Sequence, residues 1–479
     1  MRVNFGEWTP DLEAINVNGL TVAKNCVPGP DGYDPLNSLS SVTSALSGAC
    51  LGAAWFSDKS GNVAVFSGDA SKLYVLSSAT WADKSKALGY TSATNWEFAQ
   101  FGERIIATDK GQPVQYWDMG TSTAFADLPG SPPKASRMAI VGDFVVLGDL
   151  DIGGTSYPNW IAWSGFNASN LWAPNASTQA DRQELFGRGG KVQAIVGGNV
   201  GVIFQEHAIR LMTFVGPPLI FRIDEVERSI GTPSPNSVVP VGGQIFYYGH
   251  DGFRVYSIGG TSTPISDNKV TRWFQDECDD VSAIRGVLDR QAQRILWAFP
   301  SGSSTNNRVI IYDWSIGKWS YGEVDTEILF EFATAGYTAD TLDTLIPDVD
   351  TTTLPSFDSP YYQGGVISVA AFDTSHRTAT FNGDPLTAVF ETGEMLGPVR
   401  TFITKIRPLA SDYGSMTVQI ASRSTLASSA SFGSVSTMNS LGEFTTRANA
   451  RFHKFRLTIS GGFTRAVGLD VDAKSEGNR

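Results

Sequence analysis

Four histidines are the residues of this chain best suited to acid–base or metal chemistry near neutral pH. His207 and His250 both stand in polar turns between short β-rich runs, where histidine is an ordinary turn residue, and His376 ends a similar turn. His453 is the fourth. None belongs to a His-Glu-x-x-His motif, and the sequence has no Gly-x-Ser-x-Gly or Walker A motif. The histidines therefore indicate neither a catalytic nor a metal site.

The carboxylates and cysteines give no stronger chemical signal. The run Asp149-Leu-Asp151-Ile-Gly-Gly resembles half of a Ca²⁺ loop but lacks the closing glutamate, so it favours a solvated loop. The three cysteines are widely spaced and odd in number, which argues against a disulfide framework or a cysteine zinc site. Paired carboxylates could serve a glycosidase, but the Ser-x-Asp-x-Gly-x-Thr-Trp box typical of sialidase propellers does not occur. We predict no enzyme, no cofactor and no metal.

The elements that carry these residues are short β-rich runs, joined in pairs by polar or Gly-bearing turns. Examples are Val63–Phe66 with Leu73–Leu76, and Gln244–Tyr248 with Phe253–Tyr256. Successive turns mostly fall roughly 40 to 54 residues apart, about the length of one four-stranded propeller blade. Because such a unit cannot bury its own apolar face, the copies must stack and close. Seven pairs can be counted, so we predict an all-β chain with a six- or seven-bladed β-propeller.

Composition divides the chain into three regions. Residues 1–45 are extended and interrupted by Pro and Gly, so they should join a sheet formed elsewhere. Residues 46–383 hold the repeats, with an acidic loop predicted at about 336–364. Residues 384–479 alternate polar and apolar side chains, which predicts a β-sandwich. We expect 1–45 and 384–479 to form one platform domain, and one short helix over Ser266–Phe274, capped by Ser266 or Asp267.

The formal charge of −12 is distributed unevenly. Ten acidic residues and no Lys or Arg lie between 319 and 376, whereas 377–479 holds twelve basic and eight acidic residues. With a pI near 4.9, the chain is not expected to bind the phosphate backbone of nucleic acid by electrostatic attraction. DNA could, however, pass along an acidic wall without adhering to it. No apolar run is long enough for a membrane helix. The first residues lack a signal-peptide core, so we expect synthesis and folding in a cytoplasm.

The chain opens with Asn4-Phe-Gly-Glu-Trp-Thr-Pro-Asp-Leu12, followed by Gly19–Pro28 and Gly32–Leu36. These motifs resemble the extended start of a family of tail proteins of short-tailed bacteriophages. Glu227–Asn236 and Gly249–Phe253 resemble its central propeller. Matches near the end fall in family order: Leu386–Gly393, Arg407–Leu409, Ser422-Arg423, Asn449–Arg456 and Gly468–Asp472. The likeness covers nearly the whole chain, and it identifies the tail nozzle family, also called tail tube or packaged-DNA stabilisation proteins.

This resemblance implies a structural virion protein in a homo-hexameric ring below the portal and adaptor. Such a ring closes the tail and conducts DNA during ejection without binding it specifically, and tail fibres are further candidate partners. Its location would be the virion tail, with no membrane span. Two other classes stay open: a propeller glycan hydrolase, and a monomeric propeller scaffold that binds a peptide partner.

Two sets of residues carry predicted contacts of the assembly. The basic side of the platform should face a neighbouring subunit or the adaptor, and it comprises Arg400, Lys405, Arg407, Arg451, Lys454 and Arg456. The acidic loop should line the channel or dock fibre proteins, and it includes Asp340, Asp343, Asp348 and Asp350. For both sets the alternative is an ordinary solvated surface.

Overall fold

The computed structural model describes residues 1–333 and 367–475. Its strands confirm the predicted all-β fold class: six separate four-stranded sheets are arranged as propeller blades beside one larger sheet. The first five strands are β1 (Arg2–Asn4), β2 (Leu20–Lys24), β3 (Cys26–Gly29), β4 (Gly32–Pro35) and β5 (Ser40–Ala45).

Four consecutive antiparallel sheets follow, each formed by four strands adjacent in sequence. Blade 1 is β6 (Gly52–Ser57), β7 (Val63–Gly68), β8 (Leu73–Ser77) and β9 (Thr80–Asp83). Blade 2 is β10 (Glu97–Phe101), β11 (Arg104–Thr108), β12 (Gln115–Asp118) and β13 (Ala126–Asp127). Blade 3 is β14 (Lys134–Val141), β15 (Phe144–Ile152), β16 (Thr155–Trp163) and β17 (Asp181–Glu184). Blade 4 is β18 (Val192–Val196), β19 (Val200–Gln205), β20 (Ala208–Gly216) and β21 (Ile220–Arg228).

The remaining strands complete the ring and the larger sheet. Blade 5 is β22 (Val239–Val241), β23 (Gln244–Gly249), β24 (Gly252–Ser257) and β25 (Ser262–Pro264). A further unit of β26 (Arg285–Asp289), β27 (Arg294–Phe299), β28 (Asn306–Asp313) and β29 (Lys318–Thr326) forms one end of the larger sheet. The last separate blade joins β30 (Ile328–Ala333), β31 (Ile367–Phe372) and β32 (Arg377–Thr380) to β5.

The first strand of each unit lies innermost. β26 contacts both β22 and β30, and β30 contacts β6, so the unit β26–β29 occupies the seventh position of the ring. Pairing of β5 with β32 completes the last blade with a strand from the start of the chain. The hydrogen bonds therefore assign Ser40–Ala45 to the propeller, whereas the boundary drawn from the sequence at residue 45 left this strand in the platform.

The larger sheet is built from both ends of the chain. Its C-terminal strands are β33 (Ala388–Thr392), β34 (Met395–Ser411), β35 (Ser415–Arg423), β36 (Ser436–Thr437), β37 (Phe444–Ser460) and β38 (Arg465–Ser475). β1 and β4 pair with β38, and β2 pairs with β33. β2 also pairs in parallel with β29, so the sheet continues from the platform into the propeller through backbone hydrogen bonds.

Aromatic side chains fill the space between the units, as expected for a propeller. Trp319 on β29 is fully buried and packs against Phe253 of blade 5 at 5.4 Å between ring centroids. Trp314 is partly buried against Phe246 of the same blade. Both tryptophans therefore pack against a neighbouring blade, as the sequence predicted, where their large apolar area contributes most to stability.

Helix is scarce in the described part of the chain, which has the α-helix α1 (Thr271–Glu277) and 3₁₀ turns at Ala14–Asn16, Pro235–Ser237 and Val281–Ala283. The helix begins five residues later than the sequence predicted. Ser266 does not cap it: its buried hydroxyl accepts a hydrogen bond from the Phe253 amide and pairs with the Thr271 hydroxyl. None of the described helices is long and apolar enough to cross a membrane.

Candidate functional site

The platform face that carries the predicted basic residues is already charge-compensated within the chain. The side chains of Lys454 and Arg456 lie on the face of β37 opposite that of the buried Phe455, because successive side chains alternate between the two faces of a strand. Both reach the carboxylate of Glu391 on β33, at 2.8 Å from Lys454 Nζ and 2.5 Å from Arg456 Nη2. Because Glu391 is 7% exposed, these two cations neutralise a nearly buried charge.

A second ion-pair group lies on the neighbouring strands of the same sheet. Lys405 and Arg407 both contact Glu443, at 2.8 and 2.7 Å. Arg407 also lies 3.6 Å from Asp470 and 3.5 Å from Asp472. Hydrogen bonds from these two cations hold the pKa of Glu443 below its ordinary value. Four of the six predicted interface residues are thus engaged inside their own sheet, and a charge reversal at Arg456 would disturb the fold as well as any interface.

The other two predicted residues differ from these four. Arg451 lies over the ring of Phe452, with 5.6 Å between its guanidinium carbon and the ring centroid. Arg400 is exposed and has no carboxylate partner among the described residues. Leu396, on the same strand, is 53% exposed and pairs with Phe452 in the sheet. An exposed arginine and an exposed leucine on one strand are the features of this face most suited to contact another molecule.

His453 joins three strands of the platform near this face. Its Nδ1 lies 2.9 Å from Ser422 Oγ on β35, and its Nε2 lies 3.1 Å from the Ala450 carbonyl on β37 and 3.2 Å from the Thr401 carbonyl on β34. A carbonyl can only accept, so Nε2 carries a proton. Burial is the main cause that lowers the pKa of His453 below 6.5, so the ring is neutral at pH 7 and its Nδ1 accepts from Ser422 Oγ.

We expect this histidine to make the platform sensitive to acid. A group whose pKa is lower in the folded state contributes stability above its unfolded pKa, and that contribution is lost as the pH falls through the folded pKa. Wild-type unfolding free energy should therefore decrease below about pH 6.5, measured by urea denaturation from pH 7.5 to 5. His453→Gln should flatten this slope, and an identical slope in the variant would contradict the assignment.

The seven innermost strands surround a central cavity of about 480 Å³. Polar side chains gather where these strands begin. Arg137 on β14 donates from Nη1 to Glu97 Oε1 at 2.6 Å, and Glu97 Oε2 accepts from the Met138 amide. Arg285 on β26 donates to Asn95 Oδ1 at 2.7 Å. No motif in the sequence predicts this cluster, and its one signal is Arg137 in the middle of the strand Lys134–Val141.

The turn histidines and the acidic loop lie away from this cavity or outside the described residues. His207 and His250 stack across blades 4 and 5 with ring centroids 4.9 Å apart, and His250 Nε2 lies 2.7 Å from the Glu206 carbonyl oxygen. No cluster of three or more potential metal ligands occurs in residues 1–333 and 367–475. Asp340, Asp343, Asp348 and Asp350 lie outside the described residues.

Neither a protein-family model nor a curated protein matches the chain. Among solved structures, the computationally designed protein Ika8 is 14% identical, covers 71% of this chain and 98% of its own, and has a TM-score of 0.36. The extracellular domain of a proposed one-component system from B. thetaiotaomicron is 8% identical, with a TM-score of 0.45. That match covers 82% of this chain and 47% of the other, so this chain spans about half the length of that protein. Likenesses this distant carry no inference about function.

Proposed function

We propose that this chain is a structural protein of a short phage tail, which forms the nozzle as a hexameric ring below the portal and adaptor. The proposal extends the sequence resemblance described above, which covers both chain ends and the central propeller. In this arrangement the ring closes the tail and conducts DNA at ejection. The protein is made in the host cytoplasm and resides in the virion tail, where fibres are further candidate partners.

The observation that carries the proposal is the continuous sheet through which both chain ends join the propeller. β2 connects the platform strand β33 with the propeller strand β29, and the Lys24–Glu323 ion pair at 2.6 Å spans the same junction. A force applied to the platform would therefore reach the ring through paired backbone rather than through a flexible linker. Rigid coupling of this kind suits a part that must hold its position under the pressure of packaged DNA.

The surface properties also agree with a conduit. With a net charge of −12, the chain has little attraction for the phosphate backbone. The propeller cavity of about 480 Å³ is in the size range of small-molecule sites, so DNA would follow the axis of the assembled ring and not the propeller axis. Arg400 and Leu396 supply an exposed charge and an exposed apolar side chain for a neighbour on the platform.

The decisive measurement is the mass of the purified protein, alone and mixed with the adaptor complex. We expect a ring of about six times the 51.5 kDa chain in at least one of these states. Arg400→Glu should weaken ring formation without changing the melting temperature of the monomer, because Arg400 is exposed and has no ion-pair partner in the described residues. Arg182→Glu, on the outer strand of blade 3, is the matched control and should assemble normally. A 51.5 kDa monomer in both states would favour the monomeric scaffold or the hydrolase.

A further inference from the structure

The glycine-rich loop that connects blades 3 and 4 is held in place by its carbonyl groups. It comprises residues 186–190, Phe-Gly-Arg-Gly-Gly. Arg210 Nη2 donates to the carbonyl of its first residue, and Gln205 Nε2 donates to that of its last, both at 2.6 Å. The His207 amide donates to the Gly189 carbonyl at 2.9 Å. Because Arg210 is 7% exposed and Gln205 is fully buried, these bonds fix the loop from its protein side.

The amide N–H groups of the loop have no such partners. Those of Gly187, Arg188 and Gly189 donate to no acceptor in the described part of the chain, and all three residues border a cavity of about 470 Å³. Gly187 has a φ of 111°, and a Cβ on Gly189 would lie 2.2 Å from Gln205 Oε1, so both positions require glycine. Successive free amide N–H groups form the kind of backbone concavity that binds anions.

Arginines gather at the same cavity. Arg188 and Arg228 both border it and are exposed, and Arg188 makes no ion pair within the described residues. Arg228 Nε lies 2.9 Å from Glu225 Oε1, and the other oxygen of Glu225 lies 2.7 Å from Arg210 Nη2. Three arginines therefore share one carboxylate at this cavity, which leaves an excess of two positive charges beside the free amides.

The rest of the lining can contact a polar organic group. His207 and Ser229 are exposed there, and the side chain of each can form hydrogen bonds with hydroxyl groups of a ligand. Glu206 is not part of the lining, and its Oε2 accepts from the Lys191 amide at 3.2 Å. A volume of about 470 Å³ is in the range of small-molecule sites. The cavity therefore has room for an organic body attached to an anionic group.

We propose that this cavity binds a phosphate monoester of a small polar compound, such as a sugar phosphate. Arg188, Arg228 and the loop amides hold the phosphate group, whose charge of about −1.5 to −2 at pH 7 matches the two excess positive charges. Its three acceptor oxygens match the guanidinium and amide donors. The site lies within one propeller and needs no ring, so it does not depend on the nozzle role.

The test is isothermal titration of the full-length protein, at physiological ionic strength, with glucose 6-phosphate, glucose and inorganic phosphate. We expect saturable binding of glucose 6-phosphate, weaker binding of inorganic phosphate and no binding of glucose. Arg188→Gln should weaken the binding of glucose 6-phosphate by at least about tenfold, because charge-assisted hydrogen bonds to the phosphate are lost. Arg228→Gln should also weaken it. Arg222→Gln, on the outer strand of blade 4, removes an exposed arginine away from the cavity and should bind as the wild type does.

The melting temperature separates loss of binding from loss of folding. Arg188 is exposed and makes no ion pair in the described residues, so Arg188→Gln should melt at the wild-type temperature. Arg188→Lys keeps the charge and should retain part of the affinity. Three results would overturn the proposal: no binding of glucose 6-phosphate by the wild type, wild-type affinity in Arg188→Gln, or equal binding of glucose and glucose 6-phosphate. Inorganic phosphate that bound as tightly as glucose 6-phosphate would overturn the assignment to a phosphate ester and indicate a site for the free ion.

Discussion

A Val42→Asp variant should lose about 3–5 kcal/mol of unfolding free energy, because it places an unpaired carboxylate in the core that closes the ring. Val42 is 2% exposed on β5 and belongs to one apolar cluster with Trp81 of blade 1 and Phe372 of β31. Hydrogen exchange should report the loss first in Arg377–Thr380, the strand that pairs with β5. Urea denaturation would give the magnitude.

Ala45→Asp provides the matched control on the same strand. Ala45 is exposed and lies opposite Arg377, so an added carboxylate there meets water and a cation. We expect a change within about 0.5 kcal/mol. Equal losses in the two variants would show that β5 does not close the ring through its buried face.

Trp8→Ala should cost about 3–5 kcal/mol, the usual range for truncating a buried tryptophan. Trp8 is fully buried and packs against Trp273 of α1 at 4.7 Å and Tyr321 of β29 at 5.1 Å between ring centroids. Its Nε1 also donates to the Thr21 carbonyl at 3.1 Å. Since these partners belong to the propeller and to the start of β2, the variant should expose the first 24 residues to limited proteolysis.

Trp160→Ala is the control for the loss of stability and the protease sensitivity expected of Trp8→Ala. Trp160 is partly exposed on blade 3 and packs against Tyr157 with 4.8 Å between ring centroids, so its loss should cost only about 1 kcal/mol. The N-terminal segment should then resist protease as it does in the wild type. If Trp8→Ala left both stability and proteolysis unchanged, the segment would not be anchored by this residue.

The propeller could be predicted from the sequence because its signal is local. Each pair of β-rich runs with its turn lies within about 20 residues, and the repeat length follows from it. Strand β5 had no such signal, since Ser40-Ser-Val-Thr-Ser-Ala45 is too polar to suggest a blade. Its partner β32 lies more than 300 residues away, so only the folded register reveals the pair.

The side-chain contacts of the candidate sites depend on strand register even more than the propeller strands do. The sequence identified the basic residues of the platform, but it gave no indication that Lys454 and Arg456 would share Glu391 across a strand pair. Arg137 and Arg285 are 148 positions apart, and only closure of the ring brings them near one another. Spacing along the chain predicts contacts within a hairpin, whereas contacts between blades follow from the closed geometry.

The pairing of both chain ends in one sheet has a consequence for biosynthesis. Residue 1 contacts residue 471, and β1 and β2 pair with β38 and β33, which both lie in the last hundred residues. At typical rates of translation, roughly half a minute to a minute and a half separates the emergence of these partners from the ribosome. Through that interval β1 and β2 present unpaired edges, the kind of surface on which chains aggregate. The segment that is synthesised first therefore forms its sheet hydrogen bonds last. We expect the yield of folded protein to depend on chaperones that bind this segment.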